Sequence, residues 1–532
     1  MGLVVLLAAA LLSVWLYARS SLPVLDGTIA AAGLSAPVSV ARDERGVPLI
    51  SGSSRADLAY ATGYVHAQER FFQMDLLRRV GAGELSELFG PKALKTDEEH
   101  RLHRFRARAE GILKAMDPAE RAFLERYVSG VNDGLAGLSA NPFEYALIGV
   151  KPRPWTASDS MMVVYAMYFD LQGKLMPREI ARGWLLEHSS AEQRAFLLPD
   201  YSEWDAPHDA NSVSAPQAPI PAAPPAWWGT PRDTPRTELA SADFVDSVGS
   251  NNWAVAGSRS SNGAAIVADD MHLGLQLPNI WYRVALQFPD AHGKPRRVVG
   301  VTLPGAMPAI VVGSNGHLAW GYTNSYGDYL DLVTLASGDD HPGQLRTPNG
   351  WETPVEHIET ILIKGAPAQK MVVRETSLGP VREVAGKTYA VHWLAHRADA
   401  LNANPRKLEE TDTVEQALAI ANTLGIPAQN FVAGDDKGNI GWTIAGLLPQ
   451  RARSGPGDTY PMTLDGPATA FDGSLAPADY PRLLNPANGQ LSTANSRQLI
   501  GEGAQRIGDG GFDIGARNKQ VRDGLLMLGA KT

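Results

Sequence analysis

The stretch Val248-Gly249-Ser250-Asn251-Asn252-Trp253-Ala254-Val255 closes a proline- and alanine-rich segment and opens a run of strand-like residues. A cut before Ser250 would give this serine a free α-amino group. An α-amine has an unperturbed pKa of about 8, so at neutral pH it can accept the hydroxyl proton directly or through one water. Ser250 would then need no histidine as its base. Taken alone, the three residues from Gly249 to Asn251 are more typical of a polar turn before a strand.

Length and composition limit the classes of protein. The chain has 532 residues, 44% of them hydrophobic, and a formal net charge of −9. This is enough for one large domain or two ordinary domains with a substantial core. The mild acidity and the lack of a basic patch with interleaved aromatic residues give no reason to expect a nucleic-acid partner. Since there is no cysteine, disulfides, zinc–thiolate sites and a cysteine nucleophile are excluded.

The N-terminus carries an apolar run from Leu3 to Tyr17 that only Ser13 interrupts. The run is short for a spanning helix and lies where a secretory signal has its hydrophobic region, so we expect export to the periplasm or the outside. No Lys or Arg precedes it, and Arg19 behind it would suit an uncleaved membrane anchor. Residues 1–22 are therefore predicted to be a signal peptide or an N-terminal anchor.

The next part, residues 23–205, mixes strands and helices. Short strands are predicted at 38–43 and 47–50 around a turn at 44–46. Ser54 and Asp57 predict the cap of a helix whose apolar residues follow at helical spacing. Further helices are expected at 119–138 and 158–171.

A change in composition follows at Ala206. Eight prolines occur between Ala206 and Leu239, and neither a helix interior nor a central strand accepts them. Residues 206–249 are therefore predicted to be an exposed linker that can be removed without harm to a core. Because this linker ends at Gly249, it favours processing between Gly249 and Ser250.

The part after Ser250 is rich in strands. Residues 252–256 and 264–268 flank the turn Ser260-Ser261-Asn262-Gly263, which predicts a hairpin with Ser250 at the end of a paired strand. Further strands are predicted at 297–301, 309–312, 355–363, 371–376 and 389–394. Helices before the linker and strands after it predict a layered α+β fold.

Several motifs occur in a fixed order along the chain: Arg42-Asp43-Glu44-x-Gly46-Val47-Pro48, Gly63-Tyr64-Val65-His66-Ala67-Gln68-Glu69-Arg70-Phe71-Phe72-Gln73-Met74, Ser250-Asn251-Asn252-Trp253, Asp269-Asp270-x-His272-Leu273-Gly274, and Trp320-Gly321-Tyr322-Thr323-Asn324 with Asp328-x-x-Asp331. Together they resemble the penicillin acylase (penicillin amidase) family of N-terminal nucleophile (Ntn) hydrolases. That family also includes acylases that act on cephalosporin side chains and on acyl-homoserine lactones. The resemblance implies a four-layer αββα sandwich and a precursor that cuts itself before Ser250. The products would be an α subunit from residues 23–205 and a β subunit from residues 250–532.

The same resemblance implies catalytic roles. Ser250 matches the nucleophile, and His272 matches a position that helps orient the α-amine or its water. The peptide N–H of Asn324 and the side-chain amide of Asn495 match the oxyanion hole, in which each donor is worth on the order of 3 kcal/mol. Arg517 falls where the family keeps an arginine near the amine, whose charge would favour the neutral, basic form.

An acyl pocket is also implied. Met167, Leu171, Leu273 and Tyr322 match positions that line it, although apolar residues at such spacing are also typical of a core. The pocket would accept an aromatic or an aliphatic acyl group, and the choice between the two stays open.

A structural calcium ion is the one cofactor that the resemblance implies, and no organic cofactor is expected. Asp328, Asp331, the carbonyl of Leu330 and Glu179 resemble the family's oxygen cage for a hard cation. The ion would tie the two subunits together near the site.

The expected function is hydrolysis of the amide bond of a small N-acyl compound by an α/β heterodimer. Family members continue well beyond the point that matches Gly524–Leu528, so we expect the fold to be incomplete at its C-terminus. The sequence would be a fragment or a shortened relative, and an alternative function is an unprocessed, inactive member. A third interpretation, a metal hydrolase that uses Asp269, Asp270 and His272, lacks a complete ligand set. There is no G-x-S-x-G motif for an α/β-hydrolase mechanism.

Overall fold

The computed structural model describes residues 1–199, 201–209, 222–228, 249–451, 459–464, 471, 473–501 and 503–529. Most of the linker predicted at 206–249 lies outside these residues. The helices are α1 Gly2–Ser20, α2 Arg55–Ala82, α3 Ser86–Phe89, α4 Leu94–Arg101, α5 Phe105–Ala115, α6 Pro118–Ala136, α7 Phe143–Ile148, α8 Ala157–Gln172, α9 Leu175–His188, α10 Ala191–Leu197, α11 Val414–Ala421, α12 Ala504–Ile507 and α13 Ala516–Met527.

The strands are β1 Ser39–Arg42, β2 Pro48–Ser51, β3 Gly249–Val255, β4 Ile266–His272, β5 Tyr282–Pro289, β6 Pro295–Thr302, β7 Val312–Ser314, β8 Leu318–Asn324, β9 Leu330–Leu335, β10 Leu345–Thr347, β11 Gly350–Glu352, β12 Val355–Ile361, β13 Gln369–Thr376, β14 Gly379–Val384, β15 Lys387–Trp393, β16 Gln429–Asp435, β17 Ile440–Ala445, β18 Arg482–Leu484 and β19 Gln490–Thr493.

Two sheets stacked face to face form the centre of the molecule. The larger has nine strands in the order β1-β2-β5-β6-β7-β8-β16-β17-β18, and the smaller has three in the order β19-β3-β4. In the larger sheet β2 and β5 run parallel, and the other neighbours run antiparallel. The smaller sheet packs against β8 and β16, so its β3 strand lies between α13 and the larger sheet.

Helices cover the outer face of each sheet. On the nine-stranded sheet, α2 and α11 bury Leu58, Val65 and Leu418 against Trp320 and Phe431. On the three-stranded sheet, α13 packs against β19 and β3. The order helix, sheet, sheet, helix is the αββα arrangement that the resemblance implied.

The helices before the linker pack closely because glycines face neighbouring backbones. A Cβ added to Gly130 of α6 would collide with the carbonyl of Tyr60 in α2, and one added to Gly63 of α2 would collide with the carbonyl of Tyr127. Glycine at these positions lets the two helices cross with their backbones in contact. The α2–α6 pair supports α8, which carries Met167 and Leu171.

Most predicted elements are present within a few residues of the expected positions. Ser54 caps α2 by accepting a hydrogen bond from the Asp57 backbone N–H at 3.4 Å, and β3 pairs with β4 as the predicted hairpin. The strand predicted at 309–312 is wrong for its first three residues, because β7 begins only at Val312. Ile310 instead lies in a buried loop, where its backbone N–H donates to Glu409 Oε1 at 3.1 Å.

The apolar N-terminal run forms α1, which projects from the body with no buried residue. By length and composition α1 is sufficient to cross a membrane. A signal sequence passes the same test, so both functions predicted for residues 1–22 remain open.

Candidate active site

Strand β3 presents Ser250 to the space between the two sheets. Successive side chains of a strand point to opposite faces, and here Ser250, Asn252 and Ala254 are buried toward the larger sheet. Gly249 and Asn251 face α13. A Cβ at position 249 would lie 2.9 Å from a guanidinium nitrogen of Arg517, so glycine at the predicted processing junction leaves room for that arginine.

The side chain of Asn495 contacts both reactive atoms of Ser250. Its Nδ2 donates to Ser250 Oγ at 3.1 Å and to the Asn324 carbonyl oxygen at 3.0 Å. Its Oδ1 accepts from the Ser250 peptide N–H at 2.6 Å. Asn495 follows β19 and has a left-handed backbone with φ of 62°, which asparagine tolerates better than most residues. This turn aims the amide back at the first residues of β3.

Arg517, in the first turn of α13, fixes the orientation of that amide. One guanidinium nitrogen donates to Asn495 Oδ1 at 2.8 Å and to Asp513 Oδ2 at 2.9 Å. The other donates to the Ser250 carbonyl and to Asn251 Oδ1, both at 3.0 Å. Because a guanidinium only donates, the Asn495 atom beside it must be the oxygen. The NH₂ group is therefore directed at Ser250 Oγ.

Asn324 ends β8 beside the same group. Its carbonyl oxygen accepts the hydrogen bond from Asn495 Nδ2. Its own side chain donates to the Leu171 carbonyl at 2.8 Å, which ties β8 to the end of α8. The oxyanion role of the Asn324 N–H stays a prediction.

His272 ends β4 directly opposite Gly249. Its Nε2 lies 3.0 Å from Asp270 Oδ2, and both side chains are about half exposed. Asp270 also accepts from the Asn251 backbone N–H at 2.6 Å. The structure thus places His272 opposite Gly249, at the predicted processing junction, with the Asp270 carboxylate beside its ring.

The residues of the alternative metal site do not converge. Asp270 and His272 lie on the outer face of β4, whereas Asp269 points inward against Gly321 of β8. Burial, together with the charge of Asp270, raises the pKa of Asp269 well above its usual range. Within the parts of the chain that the structure describes, no three acidic or histidine side chains are grouped for a metal ion. The metal-hydrolase interpretation therefore has no support here.

A cavity of about 210 Å³ lies beside Ser250 and is mainly apolar. All four predicted pocket residues, Met167, Leu171, Leu273 and Tyr322, line it. The sequence interpretation missed a second group of lining residues, which lie outside the α-helices and strands: Leu303, Ala306, Met307, Ala309, Val311, Pro405, Ile426 and Pro427. No periodic pattern marks such segments, because it is the packing of the connecting loops that brings them to the cavity.

The residues predicted to bind calcium form a buried acidic cluster of Glu179, Asp328 and Asp331. Arg451, which the sequence interpretation missed, reaches into it: its guanidinium lies 2.8 Å from Asp331 Oδ1 and 3.1 Å from Asp328 Oδ2. Glu179 Oε2 accepts from the Leu332 backbone N–H at 2.8 Å.

Three oxygens of the acidic cluster, Glu179 Oε1, Asp328 Oδ2 and Asp331 Oδ2, have no hydrogen-bond partner among the described residues, although Asp328 Oδ2 forms an ion pair with Arg451. Burial raises the pKa of Asp328 to about 8, although Arg451 opposes the rise. Burial and the two aspartates also raise the pKa of Glu179 well above its usual range. Unpaired carboxylate oxygens are the donors that a hard cation prefers, so the residues fit calcium chemically. The ion itself stays a prediction.

Comparison with known proteins adds to this geometry. The family model described as penicillin amidase matches residues 37–532. The chain belongs to the penicillin amidase family. Membership confirms the family predicted from the motifs, and with the αββα order it confirms the Ntn-hydrolase fold class.

The relatives of this penicillin amidase family member include proteins named acyl-homoserine lactone acylase and proteins named penicillin acylase. The acyl-homoserine lactone acylase QuiP of Pseudomonas aeruginosa is 31% identical over 512 residues, which cover 92% of this chain and 59% of QuiP. The penicillin acylase 2 proenzyme of Pseudomonas sp. (strain SE83) is 28% identical over 505 residues, or 90% of this chain and 61% of the relative. The chain thus spans about three-fifths of the length of these curated relatives.

Among solved structures, a thermostable penicillin G acylase from Alcaligenes faecalis aligns with a TM-score of 0.43 and 23% identity. The alignment covers 49% of this chain and 46% of that chain.

Proposed function

We propose that this protein is an acylase that processes itself and then hydrolyses the amide bond of an N-acyl compound, with Ser250 as an N-terminal nucleophile. The observation that carries the proposal is the double contact of Asn495 with the nitrogen and the hydroxyl of Ser250. A turn residue with no catalytic role would not need an amide oriented by a charged guanidinium.

The first step is the cut. Ser250 Oγ attacks the carbonyl carbon of Gly249, the C–N bond between the two residues breaks, and the hydroxyl proton moves to the freed nitrogen. Water then hydrolyses the ester that joins Gly249 to Oγ, which releases the Gly249 carboxylate and restores the hydroxyl. The chain now begins with an amine at Ser250.

In each turnover the new amine takes the proton of Ser250 Oγ, which attacks the substrate carbonyl carbon. The oxyanion that forms needs donors that are already in place, each worth on the order of 3 kcal/mol. Asn495 Nδ2 is one such donor, and the Asn324 N–H is the predicted second. The proton then passes to the leaving amine, and water hydrolyses the acyl ester.

Arg517 would set the protonation of the amine. Its guanidinium already contacts the Ser250 carbonyl and the Asn495 oxygen that holds the Ser250 nitrogen. A nearby positive charge disfavours a second one. The amine would therefore stay neutral, and so basic, at a lower pH than a free α-amine.

The acyl side of the substrate is apolar, and it would lie in the cavity between α8 and the loop at 303–311. The names of the relatives, acyl-homoserine lactone acylase and penicillin acylase, support an N-acyl amide as the class of substrate. The cavity volume of about 210 Å³ suits an acyl chain or a single ring.

A bound calcium ion would have a structural role. Glu179, Asp328, Asp331 and the Leu330 carbonyl would supply its oxygens, and the ion would offset the charge of the acidic cluster. Glu179 lies in the predicted α subunit and the other three residues in the β subunit. The ion would thus hold the two products of the cut together.

The proposed location is the periplasm or the outside of the cell. An exposed apolar α1 supports export across a membrane, with the folded body in the periplasm or outside.

The test is intact-mass and N-terminal analysis of the purified chain, wild type beside Ser250→Ala. A wild-type fragment that begins at Ser250 and is absent from the variant is the expected result. Ser258→Ala, at an exposed serine in the turn after β3, is the matched control and should be cut like the wild type. A wild-type chain that stays whole would overturn the proposal.

A further inference from the structure

Hydrogen bonds join the last turn of α1 directly to the folded body. The Ser20 carbonyl accepts from the Ala140 backbone N–H at 3.1 Å, and Tyr17 Oη donates to the Asn141 carbonyl at 3.3 Å. Ser21, the next residue, is buried, and the Val24 backbone N–H donates to Gln68 of α2 at 3.0 Å. The body therefore sits directly at the end of α1.

The length of α1 and the positions of its aromatic and basic residues suit the layers of a lipid bilayer. A helix of 19 residues spans about 28 Å, close to the roughly 30 Å of a hydrocarbon core. Trp15 and Tyr17 are exposed near its end, where aromatic side chains favour the headgroup level. Arg19 follows, and its long stem can reach water. If α1 stays in a membrane, Asn141, which is bonded to Tyr17, lies at the headgroup level.

An exposed apolar helix begins two residues after Asn141. In α7, Phe143 and Leu147 are 46% and 78% exposed, and their spacing of four residues places them on one face. Exposed Lys151 follows shortly after α7, and Lys364 donates to the carbonyl of Ile148 at its end. Apolar side chains next to lysines are typical of a surface that enters the boundary between headgroups and acyl chains.

We propose that Phe143 and Leu147, the α7 tip, form a second membrane contact beside a retained α1 anchor. The two apolar side chains enter the bilayer at the headgroup level, and Lys151 and Lys364 meet lipid phosphates. The continuity with α1 identifies the occupant of this surface as a lipid bilayer. With α1 and the α7 tip both in the bilayer, the folded body keeps one orientation at the membrane surface.

Because the sequence contains no cysteine, a single introduced cysteine can be labelled specifically at each position. Four single-cysteine variants of the full chain, Phe143→Cys, Leu147→Cys, Leu7→Cys in α1 and Ile358→Cys on exposed β12, are labelled with an environment-sensitive fluorophore. Each is reconstituted in vesicles of phosphatidylcholine and phosphatidylserine that carry spin-labelled lipids. Ile358 is the matched control, because it is an apolar side chain of similar exposure on a different surface.

The expected result is a blue shift and strong quenching at 143 and 147 by lipids labelled at the headgroup. Position 7 should be quenched by lipids labelled deep in the acyl chain, and position 358 by neither. If 143 and 147 behave like 358 while 7 is quenched, the α7 tip is not a membrane contact. If position 7 is also unquenched, or missing because α1 has been cleaved, the retained anchor is wrong and the proposal fails with it. Neither result depends on acylase activity.

Discussion

The nucleophile corner, formed by Ser250, Asn495 and Arg517, and the acidic cluster of Glu179, Asp328 and Asp331 are both buried and polar, but they differ in how their atoms are paired. In the corner, the Asn495 amide and the Arg517 guanidinium make seven hydrogen bonds of 2.6–3.1 Å. In the cluster, three carboxylate oxygens have no hydrogen-bond partner among the described residues. Buried charge without partners is costly. The polar groups of the corner are therefore satisfied without an ion, whereas a bound cation would stabilise the cluster.

The strongest test of the corner is Asn495→Gly. It removes the amide that contacts Ser250 while tolerating the left-handed backbone at this position, so we expect kcat for a chromogenic N-acyl amide to fall about 10²–10³-fold, as for loss of one oxyanion donor. Self-cutting should also slow, as seen by intact mass. Asn485→Gly, at an exposed asparagine that also has a left-handed backbone, is the matched control. An unchanged kcat in Asn495→Gly would show that the paired amide is only structural.

Arg517→Gln asks whether the corner needs charge as well as hydrogen bonds. Loss of the positive charge should raise the pKa of the Ser250 amine, so less of it is neutral at a given pH. One pKa unit corresponds to about tenfold in rate on the acidic side of the profile. The measurement is kcat/KM against pH, where the acidic limb should move to higher pH. Arg522→Gln, further along α13, should leave the limb in place, and a uniform loss of rate without movement would contradict the charge role.

Removal of metal tests the acidic cluster. If calcium binds only the folded protein, a concentration of 100 times Kd adds about 2.7 kcal/mol to the free energy of unfolding. A chelator should therefore lower the unfolding temperature, and added calcium should restore it. In Glu179→Gln the response should weaken or vanish, whereas Glu187→Gln, at the exposed end of α9, should keep it. A wild-type protein indifferent to chelator and calcium would mean that Arg451 alone is sufficient for the cluster.

The smallest effect is expected next to the corner, where Thr323 and Thr493 join β8 to β19 through a 2.8 Å hydrogen bond between their hydroxyls. Thr493→Val removes that bond and should lower the free energy of unfolding by about 1 kcal/mol. Denaturant unfolding measures the loss, and kcat should stay close to the wild-type value. A large drop in kcat instead would show that this pair of hydroxyls also supports the geometry of the nucleophile corner.

Local signals in the sequence predicted many of the elements. Ser54 with Asp57 identified the start of α2, and the Ser260–Gly263 turn identified the β3–β4 hairpin, since caps and turns depend on residues a few positions apart. Asp513, which accepts a hydrogen bond from Arg517, was missed because it lies before the start of α13, where no periodic pattern marks it. The strand at 309–312 failed because an apolar run has the same appearance in a strand and in a buried loop.

Motifs in the sequence identified the family, the nucleophile candidate Ser250, the predicted partners Asn495 and Arg517, and four residues of the cavity wall. Tertiary packing was needed to show that Asn495 turns its NH₂ group to Ser250 and that Arg451 enters the acidic cluster. Caps, turns and strand periods arise within a few residues, whereas these contacts join positions that come together only when two sheets stack and loops pack over their ends.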